Sequence, residues 1–210
     1  MSRLLGASAL AVAFLLSPPF KPVELVSAAD VPYPWASVAD GVVVLQVATD
    51  QTGRVTGTSA LRDIASLTAP AAAAVRSWKF RPASRADGPA ASAMTVAVAF
   101  RPAAGPAAAP IFAAVHPEPE SGYAPAGIRA AGYPEYPWNV VAPGTVVLQV
   151  AVDEAGRAGA IETIRGIVPL TGYAMRAARA WRFEAASLNG KPVPSKVAIA
   201  FVFRLPVTGP

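Results

Sequence analysis

Few side chains in this sequence could carry chemistry. Catalysis and metal binding both require such groups to converge. The one histidine, His116, lies between Val115 and Pro117 in a stretch rich in Pro and Ala, where no rigid shell would hold an imidazole against a substrate. Cysteine is absent, which removes thiolate nucleophiles, disulfides and Cys-based metal sites. Asp50 and Asp153 recur in matching contexts, Asp50-Gln51-Thr52-Gly53 and Asp153-Glu154-Ala155-Gly156. Each stands alone, so neither has the partner that general acid–base work needs. Both fit a chain reversal, in which Asp bonds nearby backbone and Gly takes positive φ. Trp78 and Trp181 would suit ligand stacking, but each ends an apolar helical stripe and reads as a core anchor. The cations Arg76, Lys79 and Arg176, Arg179, Arg182 step by three along a helix, a solvated face near its C-terminus that acidic envelope polymers could meet. No catalytic residue, metal ligand or cofactor is assigned, and the expectation is a protein that is not an enzyme.

The elements that would position these residues are written twice. Gly41 to Arg54, GVVVLQVATDQTGR, reappears as Gly144 to Arg157, GTVVLQVAVDEAGR. Tyr33-Pro34-Trp35 recurs 103 residues later as Tyr136-Pro137-Trp138, and the same offset carries Trp78 to Trp181, Phe80 to Phe183 and Phe100 to Phe203. Alternation puts Val43, Leu45 and Val47 on one face and Gln46 on the other, with Val146, Leu148, Val150 and Gln149 as the counterparts. That period of two predicts half-buried strands ending in hairpin turns.

The first copy spans about 31–102. After the turn, Arg54 to Ile64 is expected to return as a second strand. Thr68 is expected to cap a helix with Pro70 in its first turn and Leu67, Ala71, Val75 and Trp78 facing the sheet. Ala93 to Arg101 closes the copy, with Val96, Val98 and Phe100 on one face. The second copy, about 133–205, repeats the plan: a helix capped near Thr171 carries Leu170, Ala174, Ala178 and Trp181 inward, and Lys196 to Arg204 presents Val197, Ile199, Phe201 and Phe203 together. The fold class expected is α+β, two small domains, each a β-β-α-β unit with one helix on a short antiparallel sheet. Residues 103–132, rich in Pro, Ala and Gly, read as a linker.

Residues 1–29 begin Met1-Ser2-Arg3, run apolar from Leu4 to Leu16 and break at Ser17-Pro18-Pro19. A run of that length suits a signal peptide, with Val26-Ser27-Ala28 offering small residues for cleavage, or a short anchor that would be the only membrane contact. The net charge is +5, but the cations are spread over both copies without a concentrated stripe, so nucleic acid is not expected as a partner.

Taken in order, these motifs resemble the C-terminal domain of the TonB energy-transducer family. The resemblance is carried by Tyr33-Pro34 and Tyr136-Pro137 before the first strand, the Asp-x-x-Gly-Arg turn, and a helix ending in Trp78 and Phe80 or Trp181 and Phe183. The Asn189-Gly190-Lys191-Pro192-Val193 loop and a last strand ending in Phe complete it. It implies a periplasmic protein that binds a peptide segment of an outer-membrane receptor or other envelope protein by strand addition, in outer-membrane transport. By the same resemblance the peptide-binding edge would be the last strand: Lys196, Ala198, Ala200 and Val202 in the second copy, Thr95, Ala97 and Ala99 in the first. The family's transducers have a full membrane helix carrying a histidine, whereas the apolar run here is short and has none. Tandem copies also allow a structural envelope module in which the two final strands pair with each other, or with those of a second chain in a homodimer.

Overall fold

The computed structural model describes residues 20–37, 39–101, 114–135 and 142–204. The apolar run Leu4 to Leu16, and Tyr136, Pro137 and Trp138, lie outside the described residues. In the first half the strands are β1 (Glu24–Ser27), β2 (Gly41–Thr49) and β3 (Val55–Arg62), then helix α1 (Thr68–Arg76), then β4 (Lys79–Arg81), β5 (Ala83–Arg85), β6 (Gly88–Ala90) and β7 (Ser92–Phe100). Next come β8 (Tyr123–Ala124) and β9 (Ile128–Ala130). In the second half follow β10 (Gly144–Val152), β11 (Ala158–Arg165), helix α2 (Leu170–Ala180), β12 (Arg182–Phe183), β13 (Ala186–Leu188), β14 (Lys191–Val193) and β15 (Ser195–Phe203). Among the described residues no helix is long and apolar enough to cross a membrane.

Both halves contribute to one sheet of six strands in the order β11-β10-β15-β7-β2-β3. The two separate sheets expected from the repeat are thus joined. All neighbours are antiparallel except β7 and β15, which run parallel from Val197 opposite Thr95 to Val202 opposite Phe100. Equivalent stripes of the two halves face opposite sides of the joined sheet. Val43, Leu45 and Val47 pack with α1 residues Ala71 and Val75 in one core. Their counterparts Val146, Leu148 and Val150 pack with α2 residues Ala174 and Ala178 in the other.

Each half leaves one face of its strands uncovered by its own helix, and a segment of irregular chain fills the gap. Residues 20–31 lie over the second half, burying Val23, Leu25 and Val31 to within 2% of full burial against Val147, Ala198, Ala200 and Val202. Residues 115–131 cover the first half in the same way, with Val115, Tyr123, Ala126 and Ile128 against Val42, Val44, Ala97 and Ala99. This corrects two expectations. The central strands are buried on both faces rather than one, which is why Val42, Val44 and Val147 are apolar too. From Val115 onward the 103–132 stretch is part of the fold, pairing through β8 with β13 and through β9 with β12.

The covering segments are fastened by polar groups that a hydrophobic face would otherwise strand. Gln149 Oε1 accepts from Leu25 N at 2.6 Å, and Gln46 accepts from Glu118 N at 2.8 Å while donating to Glu118 O at 2.9 Å. Trp78 Nε1 donates to Ala29 O at 3.2 Å and Trp181 Nε1 to Gly132 O at 2.9 Å, acceptors again 103 residues apart. A buried amide or indole left without such a partner would cost about 1–3 kcal/mol.

Glu24, in β1, holds Lys196 Nζ at 2.7 Å and also bonds Arg81, so one carboxylate joins the N-terminal segment to both halves. The hydrogen bond from Lys196 is the main reason its pKa falls below the ordinary carboxylate value, with the Arg81 contact adding to it. A depressed folded pKa gives stability that is complete above the unfolded pKa and is lost as pH falls through the folded one. Glu24→Gln is therefore expected to lower stability by about 1 kcal/mol at pH 7, with the difference vanishing only once the pH has fallen below the depressed folded pKa of Glu24. Urea midpoints of both proteins measured across pH test this, and a pH-independent difference would contradict it.

Helix entry also differs from expectation. Thr68 and Thr171 do not cap; each sits in or at the first turn and bonds backward. Thr68 Oγ1 accepts from Ile64 N at 2.9 Å and Thr171 Oγ1 from Ile167 N at 2.9 Å. The residues in the N-cap position are Leu67 and Pro169. The hydroxyl thus closes the loop into the helix instead of satisfying the helix's free amides.

Candidate functional site

The residues predicted to form a binding edge lie in the middle of the sheet. Thr95, Ala97 and Ala99 belong to β7, which is flanked by β2 and β15; Lys196, Ala198, Ala200 and Val202 belong to β15, flanked by β10 and β7. In register, Ala198 is opposite Val96 and Gln149, Ala200 opposite Val98 and Val147, Val202 opposite Phe100 and Thr145. Thr95, Ala97, Ala99, Ala198 and Ala200 are fully buried, and Thr95 Oγ1 donates to Ala126 O at 2.7 Å. Neither final strand is an edge in this structure. Each half offers the other the added strand that an unpaired edge would otherwise seek.

The free edges are instead β3 and β11, at the two ends of the sheet. Each is an eight-residue strand paired on one flank only, with mostly exposed or half-exposed side chains. A shift in register interrupts the pairing near both ends of each, between Val44 and Leu45 and between Ala48 and Thr49 for β3, and at Val147/Leu148 and Val150/Val152 for β11. Such irregularities twist an edge and restrict what can add to it. The signal that could have separated these strands from β7 and β15 is composition: β7 and β15 are apolar on both faces, as strands covered on both sides are, whereas β3 and β11 carry Thr, Ser, Glu and Arg.

The motif residues hold the framework together. Tyr33 donates its hydroxyl to Ala39 O, stands edge-on to Phe100 with centroids 5.4 Å apart, and carries the Arg204 guanidinium 5.1 Å over its ring. Pro34 O accepts from Ser37 N at 3.0 Å in the turn that follows. Phe80 is opposite Leu25 in the β1–β4 pair, and Phe183 opposite Ile128 in the β9–β12 pair. Trp181 also meets Phe201 edge-on at 5.9 Å. Asn189 and Gly190, with φ of +52° and +77°, make the two-residue turn between β13 and β14. Paired positive φ values are what an Asn-Gly hairpin supplies.

Asp50 and Asp153 are turn residues. Asp50 Oδ1 accepts from Thr52 Oγ1 at 2.6 Å, Thr52 N at 2.8 Å and Arg54 N at 3.0 Å; Asp153 Oδ1 accepts from Arg157 N at 2.8 Å and Ala155 N at 2.9 Å. The Thr52 hydroxyl bond chiefly lowers the Asp50 pKa, and the Arg157 backbone bond chiefly lowers that of Asp153. Gly53 and Gly156, at φ +83° and +76°, bring each turn against the carbonyl of Phe80 or Phe183, where a Cβ would come within 2.1 or 2.7 Å of oxygen. The Asp-x-x-Gly-Arg turn and the Trp-x-Phe segment thus form one contact. His116 Nδ1 contacts Glu184 Oε2, and Arg129 Nε holds Glu184 Oε1 at 3.0 Å, so the histidine serves an exposed ion-pair cluster at the end of the covering segment.

This strand–turn–strand–helix–strand unit, with its Trp-x-Phe segment locked to the turn, has a match among known domains. Residues 132–205 match the family model of the Gram-negative bacterial TonB protein C-terminal. The matched span covers about a third of the chain and runs from just after β9 to just past β15. No curated protein and no solved structure matches the chain. The TonB C-terminal match falls on the second half; the first half has the same element order and about half of its residues in common over Tyr33 to Phe80. It departs at the β5–β6 hairpin, where Arg85-Ala86-Asp87-Gly88-Pro89 stands in place of Leu188-Asn189-Gly190-Lys191-Pro192.

Proposed function

We propose that this chain is an exported TonB-like protein of the cell envelope that acts in outer-membrane transport by binding a peptide segment of an envelope partner, such as a TonB-dependent outer-membrane receptor. The observation that carries the reading is the match of residues 132–205 to the TonB C-terminal model on a unit whose helix and turn are built as the motif requires. In this reading both halves are copies of that domain in tandem, and the protein binds rather than catalyses. The acids the sequence offered are already committed to turns. Strand addition would take place at β11 or β3, because β7 and β15 are flanked on both sides.

Hydrogen exchange on the full chain, with and without a peptide copying the periplasm-facing N-terminal segment of such a receptor, tests the idea. Slower exchange confined to amides of β11 or β3 is the expected result. Unchanged exchange throughout, at peptide concentrations up to the millimolar range, would overturn it.

The parallel β7–β15 seam favours a second reading. A protein whose halves complete each other's final strands is closed at the position where the first reading's family offers an edge, and it would then serve as a structural envelope module without energy transduction. That reading predicts no peptide-dependent protection on any strand.

A further inference from the structure

Four arginines converge on a cleft of about 590 Å³ beside the start of β11: Arg129 of β9, Arg157 at the end of the turn, Arg179 in the last turn of α2 and Arg182 of β12. Trp181 and Phe183 also line it, and no acid does. Arg129 gives one nitrogen to Glu184, Arg157 one side-chain nitrogen to Asp153 at 2.8 Å, and Arg182 Nη1 meets the carbonyls of Ala180 and Trp181 at 3.1 and 3.0 Å, neutralising the negative end of α2. These bonds leave most of the guanidinium donors unused. The Arg179 guanidinium has no ion pair or hydrogen bond among the described residues. With Glu184 and Asp153 each pairing one of them, the four guanidinium groups still leave a net positive charge around one concavity, which favours an anion held there.

We propose that the cleft takes the carboxylates of an acidic peptide whose extended backbone continues along the free edge of β11. The proposal rests on the reading of the chain as a peptide-binding envelope protein and adds the edge and the chemistry of the partner. Three observations favour a peptide over an anionic lipid surface. The cations are all Arg, whose planar fork matches a carboxylate with two parallel bonds. They line a concavity, which a side chain can enter and a bilayer cannot. Ala158, the first residue of β11, is itself in the cleft wall, so a peptide anchored there meets unpaired backbone groups at once. The site is one-sided: the positions 103 residues earlier are Val26, Arg54, Arg76 and Lys79, so β3 lacks the Arg129 counterpart and carries Lys for Arg182.

The test uses the full chain and a fluorescently labelled octapeptide alternating Glu and Val, with a Lys–Val octapeptide as control. The acidic peptide is expected to bind, to bind less as salt rises, and to slow exchange at 158–165 but not at 55–62. Arg179→Gln is expected to weaken binding about tenfold while moving the unfolding midpoint little, since that side chain makes no hydrogen bond or ion pair among the described residues and the change puts no negative charge at the end of α2. Equal binding by the variant, protection on β3 instead, or Arg179-dependent binding of phosphatidylglycerol vesicles without peptide binding would each overturn the proposal. Charge-independent peptide protection at either edge would overturn it while leaving the broader function standing. Protection of no strand by either peptide or by the receptor peptide would overturn both.

Discussion

A chain beginning at Val31 is expected to be about 4 kcal/mol or more less stable than one beginning at Phe20. Val23 and Leu25 are nearly fully buried, and each such aliphatic side chain contributes about 1.5–3 kcal/mol. Their loss also uncovers Ala198, Ala200 and Val202, which they cover in the intact protein. The Gln149 carboxamide loses the Leu25 amide, the Trp78 indole loses the Ala29 carbonyl, Thr145 N loses Asp30 Oδ1, and Lys196 loses Glu24. A loss of that size is a large part of the whole stability of a small domain. Urea unfolding of the two chains measures it, and coincident midpoints would show the segment to be dispensable. Val26-Ser27-Ala28, expected as small residues at a cleavage site, lies within and just after β1. A cut there would remove the strand, so any processing that leaves this fold intact must occur before Phe20.

Ala200→Pro is expected to unfold both halves together. On an edge strand with its N–H turned to solvent, proline is tolerated. Ala200, however, is opposite Val147 on one flank and Val98 on the other, so either orientation of its amide costs a ladder bond and crowds a neighbouring strand. The expected loss is about 3 kcal/mol or more. Because the sheet runs through the β7–β15 seam, near-UV circular dichroism and hydrogen exchange at β7 should report the same transition as at β15. A variant that keeps β2, β3 and β7 protected while β10, β11 and β15 exchange freely would mean the halves are separate folding units. In the unaltered protein, β7 and β15 are expected to exchange slowly and the outward amides of β3 and β11 fast.

The sequence by itself determined the long strands, the hairpin turns after them and the two helices, though not the helix caps or the short strands. The alternation of Val43, Leu45 and Val47 and of their counterparts specifies strands, because only a period of two puts those residues on one face. Asp50 and Gly53 specify the turn through backbone bonding and positive φ. Leu67, Ala71 and Val75 specify a helix by their 3.6-residue spacing, and Trp78 is buried at its end as that stripe implies. The match at 132–205 was legible for the same reason, since its motif is a string of such local signals.

What joins to what was decided only by the tertiary structure. A strand's outer flank consists of backbone N–H and C=O groups common to all residues, so nothing in Thr95 to Phe100 or Val197 to Val202 says whether a peptide, a second chain or the other half will pair there. Proximity within one chain settled it, giving the β7–β15 seam and turning the predicted edge into the centre of the sheet. The covering segments were hidden for a different reason. Val115, Tyr123 and Ile128, like Val23 and Leu25, fill a face with isolated side chains on loops and strands of two to four residues, too short to show a period. One trace was present in the sequence, namely Val42, Val44 and Val147, apolar where a half-exposed strand would be polar. Those residues show that each strand needs a second cover, but the identity of the cover depends on distant segments brought together only when the chain folds.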